Sequence, residues 1–423
     1  MKIIDNMQYT IQPPQHINTT ITLPASKSVC NRALVIQALA GGSSLPANLS
    51  DCDDTRVIAA ALRDMPETID IGAAGTAMRF LTAYLSVTHG CHTITGTERM
   101  RHRPIGVLVD ALRRLGADIS YLGDEGYPPL AICGRAIEGG SLSVPGNVSS
   151  QYISALLMIG PMLRRGLELR LEGDIVSRPY IDLTLWTMTE FGARAEWSDV
   201  DTITVAPVPY QPADYAVESD WSAASYWYEM LALCDDNEPR VVLPGLMDGS
   251  RQGDTICRYI GSLMGVKTTF GTGDDGTPQV VLSHQHRRLP RLDYDFVSSP
   301  DLVQTFVVAC AMRGIPFHFT GLASLRIKET DRIEALKREL RKLGVVLTDR
   351  NDSELIWNLE RCEPTMEPID TYQDHRMAMA FAPAALALAL GSITINDPEV
   401  VSKSYPHYWD DLRRAGFQIT ERP

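Results

Sequence analysis

A chain of 423 residues, 44% of them hydrophobic, is long enough for two or three cores, and 52 Asp plus Glu against 39 Lys plus Arg leave a formal net charge of −13. That balance argues against a sequence-independent nucleic-acid binder, which needs a basic face, but it leaves room for a local basic site. The eight cysteines lack any Cys-x-x-Cys spacing and give neither a zinc pattern nor a disulfide framework. The start MKIIDNMQYT has no apolar core for a secretion signal, so a cytoplasmic location is expected. The apolar stretch 377–390 is shorter than a membrane span and reads as a buried helix, which implies no membrane partner.

The first organised stretch is LPASKSVCNRAL, residues 23–34. Ser26 or Ser28 is placed to cap a helix whose first-turn amides then point outward as an anion socket. Lys27 stands at its mouth, and Asn31 and Arg32 follow Ser28 by three and four residues on the same face. Farther on, five amphipathic runs end in a glycine followed by a strand-like segment, at Gly116, Gly192, Gly265, Gly344 and Gly416, spaced by roughly 75 residues. About 40 residues before each stop, a second and more apolar helix opens at Gly75-Thr76, Ser149-Ser150, Ser222-Ala223, Pro300-Asp301 and Asp374-His375. A helix that is apolar nearly all round is buried, whereas a striped one covers an outer surface. Strands are expected at 131–133, 167–171, 240–243 and 317–320. The first unit is irregular, because DDTRVIAAALRDM passes straight through Thr68-Ile69-Asp70-Ile71 into the next helix without a glycine stop.

Proline-rich stretches at 12–24 and 206–214 separate the first three units from the last three. The expected organisation is α/β, with an N-terminal segment 1–22 returning to the second domain, a first three-unit domain at 23–214 and a second at 215–423.

The basic residues carry the chemistry. Arg103, Lys328, Arg332, Arg376 and Lys403 all stand near element starts, where a guanidinium or ammonium suits a small polyanion. Asp301, Glu329 and Asp374 are the carboxylates among them, and neighbouring cations keep a carboxylate ionised and available as a base. Solvated surface charges and plain capped turns remain the alternatives for each residue taken singly. No metal-ligand cluster has sensible spacing, and His284 and His286 lie in a polar segment without acidic partners.

Taken in order, LPASKSVCNRAL, GAAGTAMR, RMRHRPIGVLVDAL, SSQYISALLM, VSRPYIDLT, ESDWSAASY, SPDLVQT, RIKETDRI, TYQDHRMAMAFAPAAL and SKSYP make the chain resemble the 5-enolpyruvylshikimate-3-phosphate synthase family over nearly its whole length. The resemblance implies two domains, each of three repeated βα units forming an inside-out α/β barrel, with the site in the cleft between them. It also implies transfer of the enolpyruvyl group of phosphoenolpyruvate to the 5-hydroxyl of shikimate 3-phosphate through a tetrahedral intermediate. No metal or cofactor is implied, and a monomer is expected. By motif position, phosphoenolpyruvate would be held by Lys27, Gly75, Arg103, Gln151, Arg332, Arg376 and Lys403. Shikimate 3-phosphate would meet Ser28, Arg32, Ser149, Ser150, Gln151, Ser177, Tyr180, Asp301, Ser324 and Lys328. The resemblance assigns Asp301 as the hydroxyl base, with Lys27 and Glu329 exchanging a proton with the methylene carbon.

Two alternatives stand beside this reading. One is an enolpyruvyl transferase acting on UDP-N-acetylglucosamine, a group that carries a loop cysteine absent from residues 97–104 here. The other is a non-catalytic ligand-binding protein of the same fold. The family pattern has Gly at position 25, Asn at 73, Pro at 80 and Asn at 324, where this chain has Ala25, Ala73, Phe80 and Ser324, and the 54–71 connection is short. Ala73 and Phe80 flank the expected phosphoenolpyruvate pocket, so inhibition by the analogue glyphosate should be altered while turnover is retained. Inhibition assays on the chain and on its Ala73→Asn/Phe80→Pro variant check this, and equal inhibition constants would contradict it.

Overall fold

Each glycine that stops an outer helix has positive φ, between 82° and 110° at Gly116, Gly192, Gly265, Gly344 and Gly416. This is the left-handed turn that a side chain disfavours and that releases a helix into a strand. The computed structural model describes residues 7–42, 44–285, 289–387 and 391–422. The readings above at residues 1–6, at His286 and at 388–390 lie outside the described residues.

In chain order the elements are β1 (Gln8–Gln12), β2 (Asn18–Thr20), α1 (Lys27–Leu39) and α2 (Asp53–Asp64). The next repeat is β3 (Thr68–Asp70), α3 (Gly75–Val87), β4 (Gly90–Thr95), α4 (Glu98–Arg101), α5 (Gly106–Leu115), β5 (Asp118–Tyr121) and β6 (Leu130–Gly134). It is followed by β7 (Gly140–Pro145), α6 (Ser150–Ile159), β8 (Leu167–Glu172), α7 (Arg178–Glu190), β9 (Ala195–Trp197) and β10 (Thr202–Val205). Then come α8 (Trp221–Leu233), β11 (Arg240–Pro244), α9 (Cys257–Leu263), β12 (Val266–Thr272) and β13 (Pro278–His284). The next repeat holds β14 (Leu292–Asp295), α10 (Val303–Arg313), β15 (Phe317–Thr320), α11 (Arg332–Lys342), β16 (Thr348–Arg350) and β17 (Glu354–Trp357). The last is α12 (His375–Phe381), β18 (Ile393–Asn396), α13 (Tyr408–Arg414) and β19 (Gln418–Arg422).

The chain divides into one unit of residues 25–217 and another of residues 1–24 with 218–423. The 25–217 unit holds the sheets β3-β4-β6-β5 and β7-β8-β10-β9, and the other holds β12-β13-β11-β2, β14-β15-β17-β16 and β18-β1-β19. Every four-stranded sheet repeats one pattern. A parallel pair, such as β3 with β4 or β14 with β15, is followed by two antiparallel neighbours. A parallel pair needs a crossover, and the inner helix of the repeat supplies it. For β2 and β11, which also pair in parallel, the crossover includes all of the 25–217 unit. In the first unit, Met65 at φ 40° takes the stopping place that glycine holds elsewhere.

In the 25–217 unit the inner helices α1, α3 and α6 pack on one another, and in the other unit α8, α10 and α12 do the same. Helices buried within such trios have no polar face, and every residue from Trp221 to Leu233 except Ser222 is buried. The sheets lie outside these helix trios, which is the inside-out α/β arrangement.

Three expectations need correction. Cys91 on β4 and Cys133 on β6 are register partners with Cα atoms 4.1 Å apart and form a disulfide. They are 42 residues apart in sequence, so only the strand pairing reveals them. Ser26 occupies the N-cap position of α1 but its hydroxyl makes no capping bond; its carbonyl instead accepts from the Cys30 amide. The 377–390 stretch is not one helix, because α12 ends at Phe381 and the chain continues as a 3₁₀ turn, Ala382–Leu386, carrying Pro383. Proline cannot donate the amide that an α-helix requires there.

Candidate active site

In the 25–217 unit, the polar residues singled out above gather at the starts of the inner helices and of α7. Lys27 is the first residue of α1, and its Nζ lies 3.5 Å from Asp54 Oδ2 on α2. Gly75 opens α3. A Cβ at that position would lie 2.6 Å from Arg103 Nη1 and 3.0 Å from Arg79 Nη1, so the glycine is what lets two guanidinium groups close over the helix start. Arg103 Nε is buried without a hydrogen-bond partner among the described residues. Gln151, in the first turn of α6, donates from Nε2 to Thr76 Oγ1 on α3 at 3.1 Å. Ser149 caps α6, its hydroxyl accepting from the Gln151 amide, and Ser150 beside it is buried. Ser177 precedes α7 in the left-handed region, at φ 56°, a conformation costly for a residue with a side chain.

Arg32 sits deeper in α1. Its Nε donates to Thr184 Oγ1 at 2.7 Å, its Nη1 to the Ser28 carbonyl at 2.8 Å, and its Nη2 to Ser154 Oγ at 3.0 Å and the Tyr180 carbonyl at 3.2 Å. Its guanidinium carbon lies 5.5 Å from the centroid of the buried Phe80 ring. All of these partners are neutral, and no carboxylate pairs with Arg32 among the described residues. Burial consequently pulls its pKa down to about 10.

The other unit builds a denser charge cluster. Asp301 lies in the 3₁₀ turn Pro300–Leu302 that leads into α10. Its Oδ1 accepts from Arg332 Nη1 at 3.1 Å and lies 3.5 Å from Lys328 Nζ, while its Oδ2 accepts from Arg376 Nη2 at 2.9 Å. Burial works to raise its pKa, but Arg376, Lys328 and Arg332 together hold the carboxyl well below the usual carboxylate range.

Arg332, only 1% exposed, also donates from Nε to Asp374 Oδ2 at 2.7 Å and from Nη2 to Glu329 Oε2 at 3.0 Å. Glu329 Oε1 in turn lies 3.1 Å from Lys403 Nζ. Asp374 caps α12 by accepting from the Arg376 amide, so the partner of one guanidinium also aims the next. Ser324 lies on the 3₁₀ turn Ala323–Ile327 and is not bonded to Asp301 or Arg332 among the described residues.

Several supporting residues carry no sequence signal. Thr184 and Ser154 orient Arg32, and Tyr226 accepts from Arg376 Nη1 at 3.4 Å. Asp254 is buried and accepts from the Ser222 hydroxyl. Burial, with repulsion from Asp301, raises Asp254 to about 6. No His, Cys, Asp and Glu grouping able to hold a metal ion occurs among the described residues.

The family model for EPSP synthase (3-phosphoshikimate 1-carboxyvinyltransferase) matches residues 11–70 and 64–412. The chain belongs to that family. A 3-phosphoshikimate 1-carboxyvinyltransferase from Bacteroides fragilis is 58% identical over 415 residues, covering 98% of this chain and 99% of that one. One of the same name from Photobacterium profundum is 37% identical, covering 95% and 97%. Among solved structures, an EPSP synthase from Acinetobacter baumannii superposes with a TM-score of 0.78 at 23% identity, covering 99% of this chain and 100% of that one. At that identity the likeness shows the shared fold.

Within this EPSP synthase family member, the raised carboxyl of Asp254 sets a pH dependence. The folded state retains a proton there that the unfolded state gives up near pH 3.8, so this group lowers stability as pH rises from about 3.8 to about 6, and its cost is constant above. The Asp254→Asn variant should therefore gain melting temperature relative to the parent as pH goes from 4 to 7. Thermal melts across that range test this, and a pH-independent difference would contradict it.

Proposed function

We propose that this chain transfers the enolpyruvyl group of phosphoenolpyruvate to the 5-hydroxyl of shikimate 3-phosphate and releases phosphate, a step of aromatic amino-acid biosynthesis by way of chorismate. The observation that carries the reading is the match to the family along almost all of the chain. The relatives named above favour shikimate 3-phosphate over a sugar nucleotide as acceptor. A cytoplasmic monomer is part of the same proposal. Among the described residues no helix is long and apolar enough to cross a membrane.

The residue roles belong to the same proposal. Lys27, Arg103, Arg332, Arg376 and Lys403, with the Gly75 backbone and Gln151, hold phosphoenolpyruvate. Ser149, Ser150, Ser177 and Lys328 take the acceptor's phosphate, and Ser28, Arg32, Gln151, Tyr180, Asp301 and Ser324 take its ring and carboxylate. The 5-hydroxyl oxygen bonds to C2 of phosphoenolpyruvate as its proton passes to Asp301, and the methylene carbon takes a proton from Lys27 or Glu329. Loss of phosphate and removal of a methyl proton then restore the double bond. Atoms and electrons balance without a cofactor.

Asp301 is ionised at neutral pH but, paired with three cations, has little proton affinity. Substrate anions that engage Arg376, Arg332 and Lys328 would share those charges and raise the proton affinity of Asp301 when a base is needed. The same cations stabilise the charge on the departing phosphate without reorganising, which is the economical form of electrostatic catalysis.

Phosphate release from phosphoenolpyruvate is the deciding assay. Release is expected with shikimate 3-phosphate and not with UDP-N-acetylglucosamine; release with the sugar nucleotide, or with neither, would overturn the reading. Asp301→Asn should keep acceptor binding by calorimetry and lose turnover by about 100-fold or more, in line with removal of a general base. Near-normal turnover would remove Asp301 from that role.

A further inference from the structure

Arg326 lies two residues before Lys328 and three before Glu329, on the 3₁₀ turn Ala323–Ile327. Its side chain is 19% exposed and gathers four carboxylates. Nη1 donates to Asp331 Oδ2 at 2.9 Å and Glu334 Oε1 at 3.2 Å, and Nη2 donates to Asp349 Oδ2 at 2.8 Å and Asp352 Oδ1 at 2.9 Å. Asp331 caps α11, with its Oδ1 accepting from the Glu334 amide, while Asp349 lies on β16 and Asp352 in the turn before β17. Lys337 reinforces the arrangement from the next turn of α11, donating to Asp349 at 2.6 Å and Glu334 at 2.9 Å.

These bonds bracket a short piece of chain. Between Arg326 and its partner Asp331 lie Ile327, Lys328, Glu329 and Thr330, two of them charged residues of the candidate site. Apolar packing does little to hold this piece, because Ile327 is 64% exposed, and the nearest fully buried anchors are Leu325 before it and Ile333 after it. On the site side, Glu329 is held by Arg332 and Lys403, and Lys328 faces Asp301. Those contacts are to groups that the proposed substrates would also engage, whereas the four carboxylates around Arg326 are outside that set. Arg326 is thus anchored through carboxylates separate from the site's own ion pairs.

We propose that Arg326 is a positioning residue for the transfer reaction, its guanidinium fork tying the 326–331 segment to α11 and to the β16–β17 hairpin so that Lys328 and Glu329 present their charged atoms at fixed places. The inference rests on the reaction proposed above. A fork is needed because two terminal nitrogens must serve four acceptors in three elements, and a lysine ammonium offers one point charge on a flexible stem. The exposed pair with Asp352, whose side chain is 86% exposed, adds little by itself. Its partners on α11 and β16 define the direction of the fork.

The test is steady-state phosphate release by the full chain carrying Arg326→Lys, with Arg326→Gln as a second variant. Arg326→Lys should raise the KM for shikimate 3-phosphate or lower kcat by about tenfold or more, as sub-ångström to ångström misplacement of binding groups does. In a Lys328→Ala background the same substitution should cost less, because one of the two groups it positions is gone. That non-additivity is the readout a purely stabilising ion pair would not produce. Unchanged kinetics in Arg326→Lys, or full multiplicativity with Lys328→Ala, would overturn the proposal even if Arg326→Gln failed to fold. Absence of phosphate release by the unaltered chain would instead refute the reaction, so the two failures are distinguishable.

Discussion

A guanidinium cannot be taken out of water without acceptors for its protons and a counter-charge close by, and Arg332, at 1% exposure, meets that demand with three carboxylates. Much of the 218–423 cluster follows from that demand. Asp374, which takes two of the bonds, also caps α12 and so aims Arg376. Asp301 is shared between Arg332 and Arg376, and Glu329 between Arg332 and Lys403. One buried cation therefore sets the places of three acids, and those acids set the places of the other cations. Burial alone would weaken the charge on Arg332, yet Asp374, Glu329 and Asp301 hold its pKa above the ordinary arginine value, so it is a cation at neutral pH.

Arg32 in the 25–217 unit is the opposite design. It is buried to a similar degree and makes four hydrogen bonds, but to hydroxyls and carbonyls, with an aromatic face beneath it. Neutral acceptors solve the hydrogen-bonding problem and leave the charge uncompensated, so such a group gains most from an arriving anion. The charge of Arg332 is balanced by its neighbours, whereas among the described residues that of Arg32 is not. Gly75 shows the same economy at the backbone level, since the absence of one Cβ admits both Arg79 and Arg103 to the start of α3.

The repeat was legible because its punctuation is residue-specific. Glycine is the residue that best tolerates a left-handed helix stop, so the five stops and the helices before them could be read from spacing. The inner helices were legible because most of them are apolar nearly all round, and the charged residues because they recur at element starts. What could not be read depends on distant partners. Cys91 and Cys133 meet only because β4 and β6 pair. Asp374 looked like one more carboxylate beside a histidine and proves to be the principal partner of Arg332, 42 positions earlier. Ser26 had the right residue type for a cap, but its hydroxyl is buried away from the helix amides. The acids that converge on Arg326 are scattered over more than twenty positions and belong to a helix start and a hairpin, an association that local pattern does not encode.

The central claim is that the pair of Arg332 and Asp374 organises the charge cluster. A double-mutant cycle on unfolding free energy, using Arg332→Gln, Asp374→Asn and the combined variant, measures it most directly. The account predicts a coupling of about 2–3 kcal/mol, the upper part of the range for residues sharing one network, with the combined variant less destabilised than the sum of the two single changes. A coupling indistinguishable from zero would contradict it, because the two residues would then be independent contributors placed side by side.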